Sequence, residues 1–158
     1  MKAAIVGGGV IGGGWASRFL LNGWEVSVFD PDPESERKMQ NMLLNARRSL
    51  PSLYDFKLPD EGKLNFCDNL EEAVKNVEWI QESVPERLEI KQGVYKEIQK
   101  YCNKNTILAS STSGFKPSEL SEGATWPEQI LVCHPFNPVY LLPLVEVVPS
   151  KKTDSIIV

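Results

Sequence analysis

A glycine-rich turn near the start of the chain constrains the fold more than any other feature. The residues Gly7 to Gly12 read Gly-Gly-Gly-Val-Ile-Gly and follow the apolar run Lys2 to Val6. Apolar side chains then recur four residues apart at Ile11, Trp15 and Phe19, which is the spacing of one helix face. The order strand, tight turn and helix is typical of a phosphate-binding unit.

Each position in this turn has its own physical reason. Gly7 permits the tight turn, Gly9 lets the backbone approach a pyrophosphate, and Gly12 lets the helix pack closely on the strand. Val10 and Ile11 complete the loop, so the phosphates are expected at the positive end of the helix dipole. A glycine-rich turn also occurs without a ligand, so the motif needs support from its surroundings.

The second strand pattern supplies that support. The alternating run from Glu25 ends at Asp30, about 18 residues after the glycine motif, where a carboxylate accepts hydrogen bonds from ribose hydroxyls. Asp30 would repel a 2′-phosphate, and the segment 31–34 adds acidic residues rather than Arg or Lys. We therefore expect NAD as the cofactor in preference to NADP. The alternative role for Asp30 is that of a helix cap.

Strand and helix patterns alternate along the rest of the chain, and this alternation favours a parallel sheet with crossover helices on both faces. The prediction is a single α/β domain over residues 1–158, a Rossmann-like, doubly wound and mainly parallel sheet. Helices are predicted over Val10–Asn22, Pro33–Leu50 and Leu88–Cys102, with a short capped helix from Asp68. Further strands are predicted over Leu64–Phe66, Trp79–Ser83, Thr106–Ser110, Ile130–Cys133 and Leu144–Val148, the last three as buried parallel strands.

Composition excludes several classes of function. With 42% hydrophobic and 24% charged residues, the chain is expected to be globular rather than disordered. The net charge is -4 and no run of Lys and Arg exceeds two residues, so neither nucleic acid nor a membrane surface is expected as a partner. The first strand reaches the glycines too soon for a signal peptide or a membrane span, and we expect a cytoplasmic protein.

The metal-binding residue types are sparse. Cys67, Cys102 and Cys133 form no C-x-x-C pair, and His134 is the only histidine. The sequence therefore predicts no metal site and no disulfide framework.

The single histidine is the first candidate for a general base. His134 ends a predicted strand and leads into Pro135–Pro138, at the sheet edge where ligands gather in open α/β folds. Glu146 lies within an apolar strand and could orient the imidazole. Hydroxyl groups of Ser110–Ser113 end the preceding strand at the same edge. The alternatives are a structural histidine, a glutamate on the solvated side of an edge strand, and serines that only bond the local backbone.

Four segments resemble the L-3-hydroxyacyl-CoA dehydrogenase family, and together they cover nearly the whole chain. They are Gly7–Trp15, Gln81–Arg87, Ala109–Gly114 and His134–Val139. The resemblance implies that His134 takes the proton of a 3-hydroxyl group while Glu146 orients it, and that Ser113 hydrogen-bonds the substrate oxygen. The reaction implied is NAD-dependent oxidation to the 3-keto product.

The resemblance also assigns residues around the cofactor. Glu86 and Lys91 match positions that line the nicotinamide side, and Asn137 falls in the H-x-x-N-P loop beside it. In the family, a Rossmann-like domain precedes an all-helical domain that forms the homodimer and closes over the substrate. This chain stops at Val158, where 153–158 is expected to begin a helix, so we expect a fragment that lacks the helical domain and turns over poorly.

The substrate is expected to be small. The excursion between Asp30 and Phe66 is shorter than the helical tail with which acyl-CoA members contact the nucleotide. L-Carnitine, which carries a trimethylammonium group, could meet the aromatic faces of Tyr140, Phe115 or Trp126, although such aromatics are more often packing residues. A 3-hydroxyacyl-CoA, L-gulonate, and a non-catalytic NAD sensor remain as alternatives.

Overall fold

A seven-stranded sheet forms the centre of the protein, for which a computed structural model describes residues 1–158. The spatial strand order is β3-β2-β1-β4-β5-β6-β7, and every neighbouring pair is parallel except β6 and β7. This confirms the predicted Rossmann-like, mainly parallel sheet. The strands are β1 Lys2–Val6, β2 Glu25–Phe29, β3 Leu64–Phe66, β4 Trp79–Glu82, β5 Ile107–Ser110, β6 Ile130–Pro135 and β7 Val145–Pro149.

Five helices connect the strands, and the long ones are shorter than the apolar periodicity predicts. The first helix ends before Gly23, whose φ of 81° only glycine adopts readily. Three further segments form 3-10 turns, at Leu50–Leu53, Pro127–Gln129 and Ser155–Ile157. The helices are α1 Val10–Leu20, α2 Ser35–Ser49, α3 Leu70–Val74, α4 Leu88–Ile98 and α5 Pro117–Leu120, of which α5 is not predicted by the sequence.

The core consists of one apolar layer on each face of the sheet. Ile5 of β1 belongs to the layer beneath α1 and α2, whereas its neighbours Ala4 and Val6 belong to the layer beneath α3 and α4. All three side chains are buried because β1 lies between two other strands and is covered on both faces. The carboxyl ends of the parallel strands therefore share one edge, and that edge carries the candidate site.

The last strand corrects one prediction. Leu144–Val148 was expected to be a buried parallel strand, but β7 runs antiparallel to β6 at the edge of the sheet and four of its five residues are exposed. The connecting segment 136–144 explains the direction, because a parallel strand would need a crossover of a dozen or more residues. Continuous apolar sequence had suggested burial on both faces.

The C-terminal segment is helical for a single turn. Segment 153–158 was expected to begin a helix, but it forms a single 3-10 turn, Ser155–Ile157. The carboxylate of Asp154 caps this turn by accepting a hydrogen bond from the backbone N–H of Ile156 at 3.0 Å. None of the helices in the protein is long and apolar enough to cross a bilayer.

Candidate active site

The largest apolar cleft beside the glycine loop lies at the point where the strand order reverses. From β1 the chain continues to β2 on one side of the sheet and later to β4 on the other, which leaves a crevice between their carboxyl ends. The crevice has a volume of about 510 Å³. Its lining comes from the glycine loop, the end of β2 and the segment that joins β4 to α4, and includes Gly7, Gly9, Phe29, Asp30, Leu70, Val84, Ile90 and Val94.

Close packing explains two of the three motif glycines. A Cβ atom on Gly12 would lie 1.8 Å from the carbonyl oxygen of Gly7, and one on Gly7 would lie 2.6 Å from the carbonyl oxygen of Ser83. Gly7 also has a φ of 97°, in the region that favours glycine. A Cβ on Gly9 would meet nothing within 4 Å, so the space in front of this residue is open. The packing agrees with the structural roles predicted for Gly7 and Gly12, and the open space at Gly9 leaves room for the predicted approach of a pyrophosphate.

The start of α1 offers unpaired donors to this open space. The backbone N–H groups of Val10, Ile11 and Gly12 have no acceptor within the chain, and the N-cap Gly9 has no side chain that could supply one. Such N–H groups, together with the helix dipole, form a ready site for a phosphate. The donor set therefore fits the pyrophosphate of a dinucleotide.

Asp30 connects the end of β2 to the glycine loop. One carboxylate oxygen, Oδ2, accepts a hydrogen bond from the backbone N–H of Gly8, and Oδ1 accepts one from the N–H of Asp32 at 2.7 Å. The nearby cation Lys38 forms its ion pair with Asp32 at 2.6 Å. The Asp30 carboxylate lines the cleft and retains lone pairs that could accept from ribose hydroxyls.

A buried ion pair, which the sequence analysis missed in part, lies at the end of β4. The carboxylate of Glu82 is fully buried and accepts hydrogen bonds from Lys91 Nζ at 2.7 Å, Tyr95 OH at 2.5 Å and Ser110 Oγ at 2.7 Å. It also accepts one from the backbone N–H of Val84 at 2.8 Å. These hydrogen bonds together satisfy both oxygens of the buried carboxylate.

Lys91 extends this pair to a second carboxylate, that of Glu86. Its Nζ lies 3.2 Å from Glu86 Oε2, and it also donates to the carbonyl oxygen of Val84 at 3.2 Å. Glu82, Lys91 and Glu86 are called here the acid–lysine cluster. Sequence reasoning placed Lys91 and Glu86 near the cofactor but gave no role to Glu82.

Glu86 also holds the loop that follows β5. Its Oε1 accepts hydrogen bonds from the hydroxyl of Thr112 and from the backbone N–H groups of Ser113 and Gly114, the latter two at 3.2 Å. Partial burial acts to raise the pKa of Glu86, but the bond from Thr112 and the charge of Lys91 outweigh it, so the pKa lies below its ordinary value. Glu86 is therefore an anion that fixes the backbone around Ser113.

A second, smaller cavity of about 220 Å³ brings these side chains together. It shares Ser83 and Val84 with the large cleft, so the two spaces adjoin at the segment that follows β4. A dinucleotide that starts in the large cleft and crosses the start of α1 would end in this cavity. The lining residues are Ile11, Ser83, Val84, Glu86, Lys91, Ser111 and Ser113.

The histidine and the glutamate singled out from the sequence are in direct contact. His134 lies opposite Glu146 in the register of β6 and β7, and Nδ1 of the imidazole is 2.8 Å from Glu146 Oε2. Because a carboxylate only accepts, Nδ1 is the donor, and the lone pair of the neutral imidazole is then on Nε2. The His134 side chain is 27% exposed, and its ring lies 5.6 Å from that of Phe136. Nε2 is thus the nitrogen that could receive a proton.

The loop that follows β6 is held against α1. Val139 packs so closely on Gly14 that a Cβ on the glycine would lie 2.7 Å from the valine Cβ. Arg18 of α1 donates to the carbonyl oxygen of Tyr140 at 3.2 Å and to the hydroxyl of Tyr54 at 2.6 Å. Asn137, at the start of this loop, lines a cavity together with Val10 at the start of α1.

The three aromatics considered for a cationic substrate lie in different places. Tyr140 and Asn137 line a cavity of about 350 Å³ between this loop and α2. Trp126 precedes β6, whereas His134 is near the end of β6. Trp126 therefore lies at the opposite end of the strands from His134. Phe115 packs against the core layer beneath α3 and α4. Of the three, Tyr140 lines a cavity that borders the start of α1, which makes it the candidate contact, and it also packs in part against the core layer beneath α1 and α2.

Comparison with known proteins agrees with this geometry. The model of the family described as 3-hydroxyacyl-CoA dehydrogenase, NAD binding domain, matches residues 2–158. The chain is 69% identical over 152 residues to an L-carnitine dehydrogenase/betainyl-CoA thioesterase of Ruegeria pomeroyi, covering 96% of this chain and 31% of that protein. It is 50% identical to an L-carnitine dehydrogenase of Oceanobacillus iheyensis, covering 98% of this chain and 50% of that protein.

A solved structure shows the same fold. The crystal structure of 5-formyl-3-hydroxy-2-methylpyridine 4-carboxylic acid 5-dehydrogenase, described as an NAD⁺-dependent dismutase, superposes with a TM-score of 0.87 at 31% identity, covering 98% of this chain and 50% of that one. This chain thus spans between about a third and a half of the length of the relatives that it matches.

Proposed function

Since this chain belongs to the family of 3-hydroxyacyl-CoA dehydrogenase NAD-binding domains, we propose that it binds NAD and supplies the base for oxidation of a small L-3-hydroxy acid, with L-carnitine as the leading substrate. The contact between His134 and Glu146 carries this proposal. It lies at the same sheet edge as the phosphate-binding start of α1. A domain that only binds a nucleotide has no need of a base with an orienting acid.

The residues that would hold the cofactor follow from the donor set. The N–H groups of Val10, Ile11 and Gly12 would bind the pyrophosphate, and Asp30 would accept hydrogen bonds from the ribose of the adenosine half. NAD, when bound, accepts the hydride from the substrate carbon. Glu86 and Lys91 border the cavity for the nicotinamide.

His134 removes the hydroxyl proton through Nε2 as the carbonyl forms. Glu146 fixes the tautomer by accepting from Nδ1 and stabilises the imidazolium that results. Ser113, whose backbone Glu86 holds, directs its hydroxyl to the substrate oxygen. Asn137 lines a neighbouring cavity with Val10 at the start of α1 and would border the cofactor from that side.

The choice of carnitine is supported by two observations. Several curated relatives at 50% identity or more are named L-carnitine dehydrogenase. In addition, Tyr140 lines a cavity beside the proposed cofactor site, and an aromatic face is a suitable partner for a trimethylammonium group. The description of the family model supports a 3-hydroxyacyl-CoA as the second candidate.

The proposal is tested by NADH formation with the complete natural polypeptide that contains these residues. L-Carnitine, L-3-hydroxybutyryl-CoA and L-gulonate are offered in parallel at equal concentrations. Turnover of carnitine alone supports the proposal in full. Preference for the CoA ester would contradict the small-substrate assignment and leave the role of His134 standing.

Replacement of the base separates an enzyme from a sensor. His134→Ala should lower kcat by roughly two to four orders of magnitude, since general-base catalysis contributes about that much. NADH affinity, measured by fluorescence titration, should change little because His134 does not line either part of the proposed cofactor cleft. Unaltered turnover in His134→Ala would refute the proposed mechanism.

A further inference from the structure

The acid–lysine cluster contains one negative charge in excess. Its single cation, Lys91, contacts two carboxylates, Glu82 at 2.7 Å and Glu86 at 3.2 Å. One ammonium group neutralises only one of them. The geometry indicates that Lys91 neutralises Glu82, because the contact to Glu82 is the shorter one and both of its partners are almost completely buried.

The excess charge therefore falls on Glu86, the member that faces the small cavity. The Glu86 side chain is 45% exposed, whereas those of Glu82 and Lys91 are at most 1% exposed. All the other residues of the cavity lining are uncharged, namely Ile11, Ser83, Val84, Ser111 and Ser113. Apart from Lys91, no cation lines this cavity.

Glu82 is what keeps Lys91 from cancelling that charge. Besides the lysine, it accepts hydrogen bonds from Tyr95, Ser110 and the backbone of Val84, and these anchor it at the end of β4. Lys91 is thereby drawn toward the interior, where it also donates to the carbonyl oxygen of Val84. Glu82 acts through Lys91 and is a positioning residue.

We propose that the acid–lysine cluster shifts the binding preference of this site toward the oxidised form of the nicotinamide cofactor. The proposal rests on the proposed function, in which the nicotinamide occupies the small cavity. The oxidised ring carries a positive charge and the reduced ring is neutral, so an excess negative charge beside the ring strengthens binding of NAD⁺ relative to NADH. The pyrophosphate and ribose contacts are common to both forms and do not discriminate between them.

The test compares dissociation constants rather than turnover. Kd is measured for NAD⁺ and for NADH by isothermal titration calorimetry at fixed pH and ionic strength. In Glu86→Gln the ratio Kd(NAD⁺)/Kd(NADH) should rise by roughly three- to tenfold, the scale of one unit charge beside a partly hydrated cavity. Glu82 touches no ligand, but Glu82→Gln leaves Lys91 free to neutralise Glu86. This variant should therefore also raise the ratio Kd(NAD⁺)/Kd(NADH).

Glu89→Gln is the matched control. It also removes one carboxylate charge, from the start of α4, but Glu89 is exposed and paired with Arg87 on the surface. The ratio Kd(NAD⁺)/Kd(NADH) of the Glu89→Gln variant should equal that of the wild type. Circular dichroism verifies that each variant is folded, and if one of the two cluster variants does not fold, the other decides.

Two results are distinguishable. If a folded Glu86→Gln variant loses affinity for both forms equally, the cluster only shapes the cavity and the proposed selectivity is wrong, while NAD binding stands. If the wild-type protein binds neither form, the proposed function itself fails.

Discussion

The packing of the loop after β6 on α1 predicts an unusual response to a glycine substitution. Gly14 lies inside α1, and a Cβ there would be 2.7 Å from the Cβ of Val139 and 3.2 Å from its Cγ2. Val139 is buried, so it has no solvent space into which it could move. Gly14→Ala should therefore destabilise the protein although alanine is the better helix former.

The magnitude follows from two opposing terms. Replacing an interior helical glycine by alanine stabilises a helix by about 1 kcal/mol. Forcing an extra methyl group into a packed contact costs about 1–3 kcal/mol. The difference is a net loss of about 0–2 kcal/mol. The Gly14→Ala variant should lie toward the upper end, because a contact below 3 Å requires the backbone of one partner to shift.

Gly93 offers a matched control in another helix. It lies within α4, is exposed, and a Cβ there would meet nothing within 4 Å. Gly93→Ala should therefore stabilise the protein by about 1 kcal/mol. The free energy of unfolding is measured by urea denaturation, with the m-value checked for constancy.

A double-mutant cycle identifies the colliding atom. Val139→Gly removes the valine Cβ and should relieve the cost of Gly14→Ala, with a coupling energy of about 1–2 kcal/mol. Val139→Ala keeps the Cβ and should relieve much less. The packing argument is wrong if Gly14→Ala stabilises the protein as Gly93→Ala does, or if the two substitutions at Val139 give equal coupling.

Three further predictions concern the cofactor, the substrate and the thiols. The protein should bind NADH more tightly than NADPH in fluorescence titrations, and Asp30→Ala should reduce the difference between the two dissociation constants. Equal affinities for NADH and NADPH in the wild type would contradict the role of Asp30. Tyr140→Leu should raise KM for carnitine more than Kd for NAD, and parallel changes would count against a cation contact. Burial raises the pKa of the Cys133 thiol to about 12, so Ellman's reagent at about pH 8 should modify it only in denaturant; a fast reaction located at Cys133 by mass spectrometry would refute this.

The first half of the sheet could be predicted because local and global signals agree there. The turn at Gly7 requires a positive φ, the residues after it have helical spacing, and Gly23 stops the helix. The direction of β7 could not be predicted in the same way. Its residues Val145 to Val148 are mostly apolar, and apolar sequence alone does not distinguish a buried strand from an exposed edge strand.

The buried part of the site shows a different limit. Glu82 follows Ile80 and Gln81 in a predicted strand, and a carboxylate that is buried there needs a partner. That need was a usable signal, and Lys91 in the first turns of the next helix was a candidate partner. The four donors that converge on Glu82 come from α4, β5 and the segment after β4, so their meeting depends on the tertiary fold.

The antiparallel direction of β7 has a consequence for the proposed chemistry. Residues directly opposite in an antiparallel pair project from the same face, and the register opposes Glu146 to His134. A shift of one residue would turn the carboxylate to the other face, but Val145 packs into the core layer beneath α1 and α2 and resists such a shift. The edge position also leaves the Glu146 side chain 60% exposed, so water can reach its second oxygen. An edge strand in this register therefore fixes a carboxylate beside the imidazole without burying the second oxygen of that carboxylate. A buried central strand would bury this oxygen without a partner.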